Sequence, residues 1–460
     1  MYDIIVIGGG IAGVYTTYKI HKHCPHIKVL LIEKENRLGG RVHTYRDNYM
    51  TVEAGAGRIN GSQPHIMNLI EELGLKSKLK RLESSVVFSP ADGTGSNESS
   101  AMDAPKLVVG QGSSILRIPD HTKKNGLLGP LYDNFVDVAL GPTTLPNAGL
   151  ILHLVVASKM MSKQYLQNHT LETFAKKVLT KEQVDYIKRS FGYYSELVIM
   201  NAYDSIKLLN LLGPSNTFYM MKGGLDQIIE KMEDRISRNK NITIWKGREV
   251  SCITYHEPLF EIQIKNHKMS YYCLKCICAL PKLALEKFRI FAPIRPLLKK
   301  VECGSLCRIY SKFDSDKILW FKDLCKMTTD NDLRIIIPYD KKEGTIMMSY
   351  CDNFYADDWQ DLYLCRGVKA VNQKLKKDML ESTGIQIPSP KRTKVFYWEC
   401  GVGYWGIGAD SKKIAEKMIQ PFPHMALFVC GENFSEDGQQ WMEGALETSE
   451  KVLVRVFETQ

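Results

Sequence analysis

Met1-Tyr2-Asp3-Ile4-Ile5-Val6-Ile7-Gly8-Gly9-Gly10-Ile11-Ala12-Gly13-Val14 opens the chain. Residues 4–7 are a short β-branched apolar run, which suits a buried parallel strand. Gly8, Gly10 and Gly13 follow in the spacing of a dinucleotide-binding turn. The first allows the tight turn, the second lets the backbone approach a pyrophosphate, and the third lets the next helix pack closely on the sheet. The helix N-terminus then aims its amides at the diphosphate. Glycine spacing alone is weak evidence, but the context agrees. Residues 14–21 can form the helix and residues 28–32 the next strand. Glu33 ends that strand, 20 residues after Gly13, where a carboxylate can accept both hydroxyls of an adenosine ribose. A glycine-rich turn between an unrelated strand and helix would leave Glu33 unexplained.

Leu38-Gly39-Gly40-Arg41 reads as a second phosphate-proximal turn, with Arg41 neutralising the diphosphate. With these residues in view, the chain resembles the flavin-containing amine oxidase family: monoamine and polyamine oxidases, L-amino acid oxidases and the histone demethylase related to them. The resemblance implies FAD rather than a nicotinamide cofactor. It places Glu33 at the adenine ribose and Arg41 near the pyrophosphate.

The chain has 460 residues, 44% hydrophobic and 24% charged, enough for two packed domains or one interleaved pair. No window approaches eighteen uncharged apolar residues. The run at 145–156 is too short and contains His153, so no membrane span is expected. The N-terminus enters a strand at once without a basic, apolar leader, which argues against secretion or N-terminal organelle import. Twelve cysteines without a leader suggest reduced thiols in the cytoplasm or another reducing compartment. Cys273, Cys276 and Cys278 have no second half-site and read as buried small hydrophobes rather than zinc ligands; no metal is expected. The net charge of +10 favours anionic partners or substrates at long range. The local clusters at 295–300 and 374–377 read as solvated faces, and no nucleic-acid partner is expected.

Further along, Val52-Glu53-Ala54-Gly55-Ala56-Gly57-Arg58-Ile59 carries small residues that let backbone approach a flat ring. The resemblance sets this segment, Gly57 included, beside the isoalloxazine. Arg58 matches the arginine with which L-amino acid oxidases hold the substrate α-carboxylate; contact with flavin or a neighbouring loop is the alternative reading. Glu53 is expected at flavin-side groups or a backbone turn. Residues 64–75 read as a helix closed by Gly74. Residues 84–114 are polar and punctuated, and read as an exposed or partly disordered loop. The family match is weakest from there to about 150. Residues 150–212 are mostly helical, with Thr170 a cap and Thr180 and Gln183 a capping box. Phe191-Gly192-Tyr193-Tyr194 lines a cavity or fills an aromatic core.

The double glycine at 223–224 opens a helix near Leu225, and resembles the family's return to the cofactor domain. Residues 242–244 read as a strand, with another element at 247–252, and by resemblance to related folds Val250 is the candidate on the adenine side. Residues 260–264 and 271–278 read as a hairpin. In Gly304-Ser305-Leu306-Cys307-Arg308-Ile309-Tyr310, Arg308 stands where the family carries a lysine that holds a water against flavin N5. A guanidinium stays cationic. It can steady anionic flavin but does not readily shuttle a proton, which puts efficient oxygen use in question. A register slip of one would leave Arg308 peripheral. Residues 317–321, 333–338 and 345–350 alternate like strands, and 361–383 has helix character.

The aromatic–glycine passage at 394–408 offers Tyr404 as one cage aromatic, with Trp398 and Trp405 as alternatives. Gly403 stands where monoamine oxidases link FAD through cysteine, so the flavin is expected to be non-covalent, with Cys400 close by as a reservation. At the C-terminus Gly431, Glu432 and the amides near Met442 match the family's flavin segment, and Trp441 matches the second cage aromatic.

The expected fold is α/β: a Rossmann-like, glutathione-reductase-like FAD-binding domain at 1–75, 215–300 and 390–460, interleaved with an α+β substrate domain at 76–214 and 301–389. The expected reaction passes a hydride equivalent from an amine-bearing carbon to FAD, giving an imine, with molecular oxygen as acceptor and hydrogen peroxide as product. The substrate class stays open between polyamine, monoamine and amino acid. One alternative is an L-amino acid oxidase that uses Arg58. Another is a catalytically weak flavin-binding structural or interaction protein. A homodimer is left open.

Overall fold

Ile4, Ile5, Val6 and Ile7 are all buried, as a strand covered on both faces requires. They form β1 (Tyr2–Ile7). β1 pairs in parallel with β2 (Val29–Ile32) on one side and with the strand Ser270–Cys278 on the other. The computed structural model describes residues 1–82, 86–89, 107–109, 114–119, 135–140, 148–211, 217–315, 319–324 and 326–458.

The period of two along each strand divides the core. Ile4, Val6, Val29 and Leu31 face one cluster, which also holds Val14, Ile228, Met232 and Leu446. These come from α1 (Ile11–His23), the helix Gln227–Ile236 and the C-terminal helix Met442–Glu458. Ile5, Ile7, Leu30 and Ile32 face the other cluster, with Cys276, Cys278 and Phe291. Each such side chain contributes about 1.5–3 kcal/mol by leaving water. Cys273, Cys276 and Cys278 are core residues, as expected, and no cluster of potential metal ligands occurs among the described residues.

The parallel order continues outward. Ile242–Trp245 pairs with β2, and Leu427–Val429 pairs with Ser270–Cys278. Leu259–Ile264 adds antiparallel to Ser270–Cys278, which is the expected hairpin. The carboxyl ends of β1, β2, Ser270–Cys278 and Leu427–Val429 therefore gather along one edge. Gly8 N donates to Ile32 O, Ala279 N to Ile7 O and Cys430 N to Cys278 O. That edge is where ligands of open parallel sheets bind.

A second sheet runs Arg392–Trp405, Val301–Lys312, Thr345–Asp352, Ile335–Asp340, Lys326–Thr329, Val86–Ser89 and Leu107–Val109. The helix Phe354–Thr383 packs on it through Trp359, Val371, Leu375 and Met379. Three expectations change here. The strand Arg392–Trp405, expected with the dinucleotide half, hydrogen-bonds along Val301–Lys312 in this sheet; its aromatic–glycine composition says nothing about which partner it pairs with. Residues 84–114, expected as a loop, include two strands that continue the sheet from Lys326–Thr329, whose free edge needs hydrogen-bond partners. The rest of that loop, apart from Ser114, lies outside the described residues. Residues 319–321, expected as part of a strand at 317–321, turn under the sheet, and Phe321 is buried there.

A helical cluster runs from Ala148–Ser158 to Ala202–Leu211, and is tied to the second sheet where Tyr194 N and Ser195 N donate to Asp352. Thr170 caps Leu171–Val178, and Thr180 with Gln183 forms a full capping box on Lys181–Ser190. No helix among the described residues is long and apolar enough to cross a membrane.

Candidate active site

The glycines at 8, 10 and 13 do different physical work. Gly8 adopts φ +104°, and a Cβ there would lie 2.3 Å from Ala279 O. At Gly13 a Cβ would stand 1.9 Å from Gly8 O, so only glycine lets α1 sit this close to the turn. At Gly10, the N-cap of α1, a Cβ would meet nothing within 4 Å. That open side faces a cavity of about 1010 Å³, at the upper end of ligand pockets, about 300–1,000 Å³.

The cavity is lined from both ends of the chain. Gly8, Gly10, Glu33, Arg41, Gly57, Val250, Gly431, Glu432 and Met442 all contribute, and so do Arg58, Arg308, Tyr404 and Trp441. Gly13 does not line it but packs beneath the turn. A donor-lined glycine turn, a carboxylate at the neighbouring strand end and an extended cavity fit an adenine dinucleotide. Glu33 accepts from Gly9 N at 2.6 Å and from Glu35 N at 2.8 Å. These bonds hold its carboxylate in place and leave lone pairs for ribose hydroxyls. Arg41 pairs with Glu432 and donates to Gly401 O at 2.9 Å. Glu432 also accepts from Gln440 N at 2.9 Å and Gly403 N at 3.3 Å. Its carboxylate thus ties Arg41 and two backbone segments into the cavity wall.

The second sheet closes the other side. Trp398 donates to Ala54 O at 2.7 Å, and Arg308 donates to Glu53 O at 3.1 Å. A Cβ on Gly57 would lie 2.6 Å from Arg308 Nη1, so the glycine makes room for this guanidinium. Burial opposes the charge of Arg308. The hydroxyls of Tyr350 and Tyr310 and the Glu53 carboxyl outweigh that and hold its pKa above the ordinary value. Its guanidinium lies 4.5 Å from the Tyr350 ring centroid. Glu53 stays out of the cavity. It accepts from Leu225 N and Thr44 Oγ1, as the backbone-turn reading expects.

Arg58 sits among rings. Its guanidinium carbon is 5.0 Å from the Phe218 centroid, 5.3 Å from Trp441 and 5.8 Å from Tyr193. Each ring presents its negative face to the cation. Arg58 makes no ion pair among the described residues. Trp441 in turn stacks on Phe218 at 6.1 Å. Tyr404 is fully buried, and Gly304 leaves the space its ring fills. Of the alternative aromatics, Trp398 lines the cavity, whereas Trp405 turns away and donates to Ser435 O. Tyr193 lines the cavity while Phe191 lies in the helical core.

One expectation about the cysteines is overturned. Cys303 and Cys400 form a disulfide with Cα atoms 4.9 Å apart. The two residues are 97 positions apart in the chain, so only the pairing of Val301–Lys312 with Arg392–Trp405 brings them within bridging range. Cys400 lines the cavity with its sulfur already bonded. A Cβ on Gly403 would collide with Asn433 Nδ2 at 2.5 Å. Neither position offers a free thiol for covalent flavin attachment.

The sequence reading did not single out Glu196, Tyr350 or Phe218, all of which meet the cavity or Arg58. Glu196 had no motif around it. Tyr350 sits in a strand whose alternation marks it only as a sheet residue.

Comparison with known proteins gives a consistent picture. The family model for flavin containing amine oxidoreductases matches residues 11–455. The chain is 22% identical to the uncharacterized protein R188 of Acanthamoeba polyphaga mimivirus, over 99% of this chain and 94% of that one. It is 27% identical to the flavin-dependent L-tryptophan oxidase RebO of Lentzea aerocolonigenes, over 62% of this chain and 60% of that one. A solved putrescine oxidase variant superposes with a TM-score of 0.73 at 12% identity, over 100% of this chain and 99% of that one, which shows a shared fold.

Proposed function

The chain belongs to the flavin-containing amine oxidoreductase family, and on that premise we propose that its substrate is an α-amino acid. The family uses FAD, and the oxidoreductase class follows from it. FAD bound in this cavity would supply a two-electron acceptor for oxidation of the amine-bearing carbon to an imine, with oxygen as the final acceptor and hydrogen peroxide as product. The protein's part is to position and to stabilise. Gly8, Gly10, Glu33 and Arg41 hold the adenosine diphosphate end. Gly57, Arg308 and the helix start at Met442 serve the other end, with Val250 on the adenine side and Gly431 and Glu432 shaping the wall between. Arg308, buried and cationic, supports negative charge that develops on the ring system.

The observation that carries the substrate class is Arg58. A guanidinium in an aromatic-lined cavity, without an anionic partner among the described residues, calls for an anion. A carboxylate matches its planar fork. The rings of Tyr193, Phe218, Tyr404 and Trp441 favour an apolar or aromatic side chain beside it. Resemblance to an L-tryptophan oxidase supports the same class. The second reading is a simple amine or polyamine, favoured by the Tyr404–Trp441 pair, which would accept an amine without a carboxylate.

A peroxide-coupled assay across aromatic and aliphatic amino acids, monoamines and polyamines tests this, with a redox dye in parallel so that amine oxidation is read independently of oxygen use. Arg58→Ala should raise KM for amino acids roughly 10- to 100-fold, the worth of a charge-assisted hydrogen bond, and leave monoamines unchanged. An equal loss on both classes would defeat the assignment.

A further inference from the structure

The short helix Ser195–Val198 follows Tyr193 and brings Glu196 to the cavity wall. Glu196 is only 5% exposed, and its Oε2 is buried without a hydrogen-bond partner. Its neighbour Asp352 is also buried, but Asp352 is engaged: it accepts from Tyr194 N at 2.9 Å and Ser195 N at 2.7 Å. The two carboxyls therefore differ in kind. Asp352 is a fixture of the backbone turn, whereas Glu196 is a carboxyl with spare acceptor capacity at a ligand cavity.

Leaving a buried carboxyl oxygen unpaired is costly, and a fold that keeps one at a cavity wall reserves it for what enters. The charged and titratable groups that act on Glu196 are Asp352 and Arg58, and its side chain in turn acts on the phenols of Tyr193 and Tyr404. Burial first, and then the Asp352 charge, push the Glu196 pKa well above the ordinary carboxyl range, while Arg58 pulls it down. Arg58 is thus within electrostatic reach of Glu196, with no ion pair between them. A gap between one cation and one carboxyl suits a zwitterion.

We propose that Glu196 receives the ammonium group of the substrate while Arg58 holds its carboxylate, so that the pair reads the head group of an α-amino acid. The proposal rests on the Arg58 reading above. Two-point attachment at groups on one carbon fixes the direction of the third, the C–H bond to be broken. It also gives the ammonium proton a destination. The nitrogen must lose a proton before the carbon can be oxidised. An N–H bond breaks, its electron pair stays on nitrogen, and the proton forms an O–H bond on the Glu196 carboxylate. Where Glu196 is already protonated in the free protein, binding instead releases one proton to solvent.

The test uses flavin-loaded enzyme and three matched ligands that lack an oxidisable C–H: α-methylphenylalanine, α,α-dimethylphenethylamine and α,α-dimethyl-β-phenylpropanoate. Affinities come from calorimetry. Glu196→Gln should weaken the amino acid and the amine by roughly 10- to 100-fold and leave the acid unchanged. Arg58→Met should weaken the amino acid and the acid and leave the amine unchanged. If only the Arg58 pattern fails, the carboxylate reading falls. If Glu196→Gln spares all three ligands, or weakens all three alike, the ammonium role falls. Wild-type enzyme provides a second readout that needs no variant. Repeating the amine titration at neutral pH in buffers of different ionisation enthalpy reads the proton balance: between zero and one proton released per ligand bound is expected, according to how much of Glu196 is ionised beforehand, and net proton uptake would overturn the proposal.

Discussion

At the scale of the residue, Glu53 shows how the fold changes a side chain's chemistry. Burial pushes its pKa up to about 7, against the hydrogen bonds from Leu225 N and Thr44 Oγ1 and the Arg308 charge, which pull it down. The folded-state pKa lies above the unfolded value near 4.5. Between those two values the folded protein holds a proton that the unfolded chain has lost. Stability therefore falls as pH rises through the window from about 4.5 to 7, by on the order of 3 kcal/mol. Glu53→Gln should flatten that slope. Urea unfolding at pH 5 and pH 8 checks it: the wild type should lose stability between the two, and the variant should lose markedly less. The sequence left Glu53 between flavin-side groups and a backbone turn without indicating this shift, because the shift comes from burial, which exists only once distant segments have packed around the carboxyl. Arg58, Tyr404 and Trp441 were legible through the motifs around them. Glu196 was not, since a glutamate in a four-residue helix carries no local mark of burial.

At the scale of the element, the strand–turn–helix at the N-terminus separates packing from binding. Gly13→Ala places a methyl group against Gly8 O, so α1 must move off the turn; the cost should be about 1–3 kcal/mol of stability, with FAD affinity lost as well. Gly10→Ala meets open space at an ordinary φ of −66°. It should leave stability of the flavin-free protein within about 1 kcal/mol of wild type and yet weaken FAD binding, because the methyl occupies the approach to the diphosphate. Thermal unfolding without flavin, paired with an FAD fluorescence titration, distinguishes the two. Helix caps were equally legible: Thr180 and Gln183 bond as their spacing requires, since a cap depends on residues three apart. Strand partners were not. Residues 392–405 read clearly as an aromatic–glycine segment, but sheet membership depends on which distant strand offers matching hydrogen bonds.

At the scale of the molecule, the cavity joins Gly8 and Glu33 near one terminus to Gly431, Trp441 and Met442 near the other. A cofactor bound there bridges both, so free FAD at 1,000 times its Kd should stabilise the fold by about 4 kcal/mol. With Cys400 bonded to Cys303 and glycine at position 403, flavin should also be held without a covalent link. Unfolding in guanidinium should release all of it to the filtrate and leave the chain mass unshifted; retained flavin would contradict that. The sequence by itself determined the dinucleotide turn, the burial of β1, the caps and the family, because each depends on residues close in the chain or on the fixed spacing of motif residues. Only the tertiary structure decided that Cys303 reaches Cys400, that Arg392–Trp405 joins the second sheet, and that Arg58 lies among three rings with Glu196 nearby. Those are contacts across long separations, set by packing and strand pairing, and desolvation acts only once the segments have met.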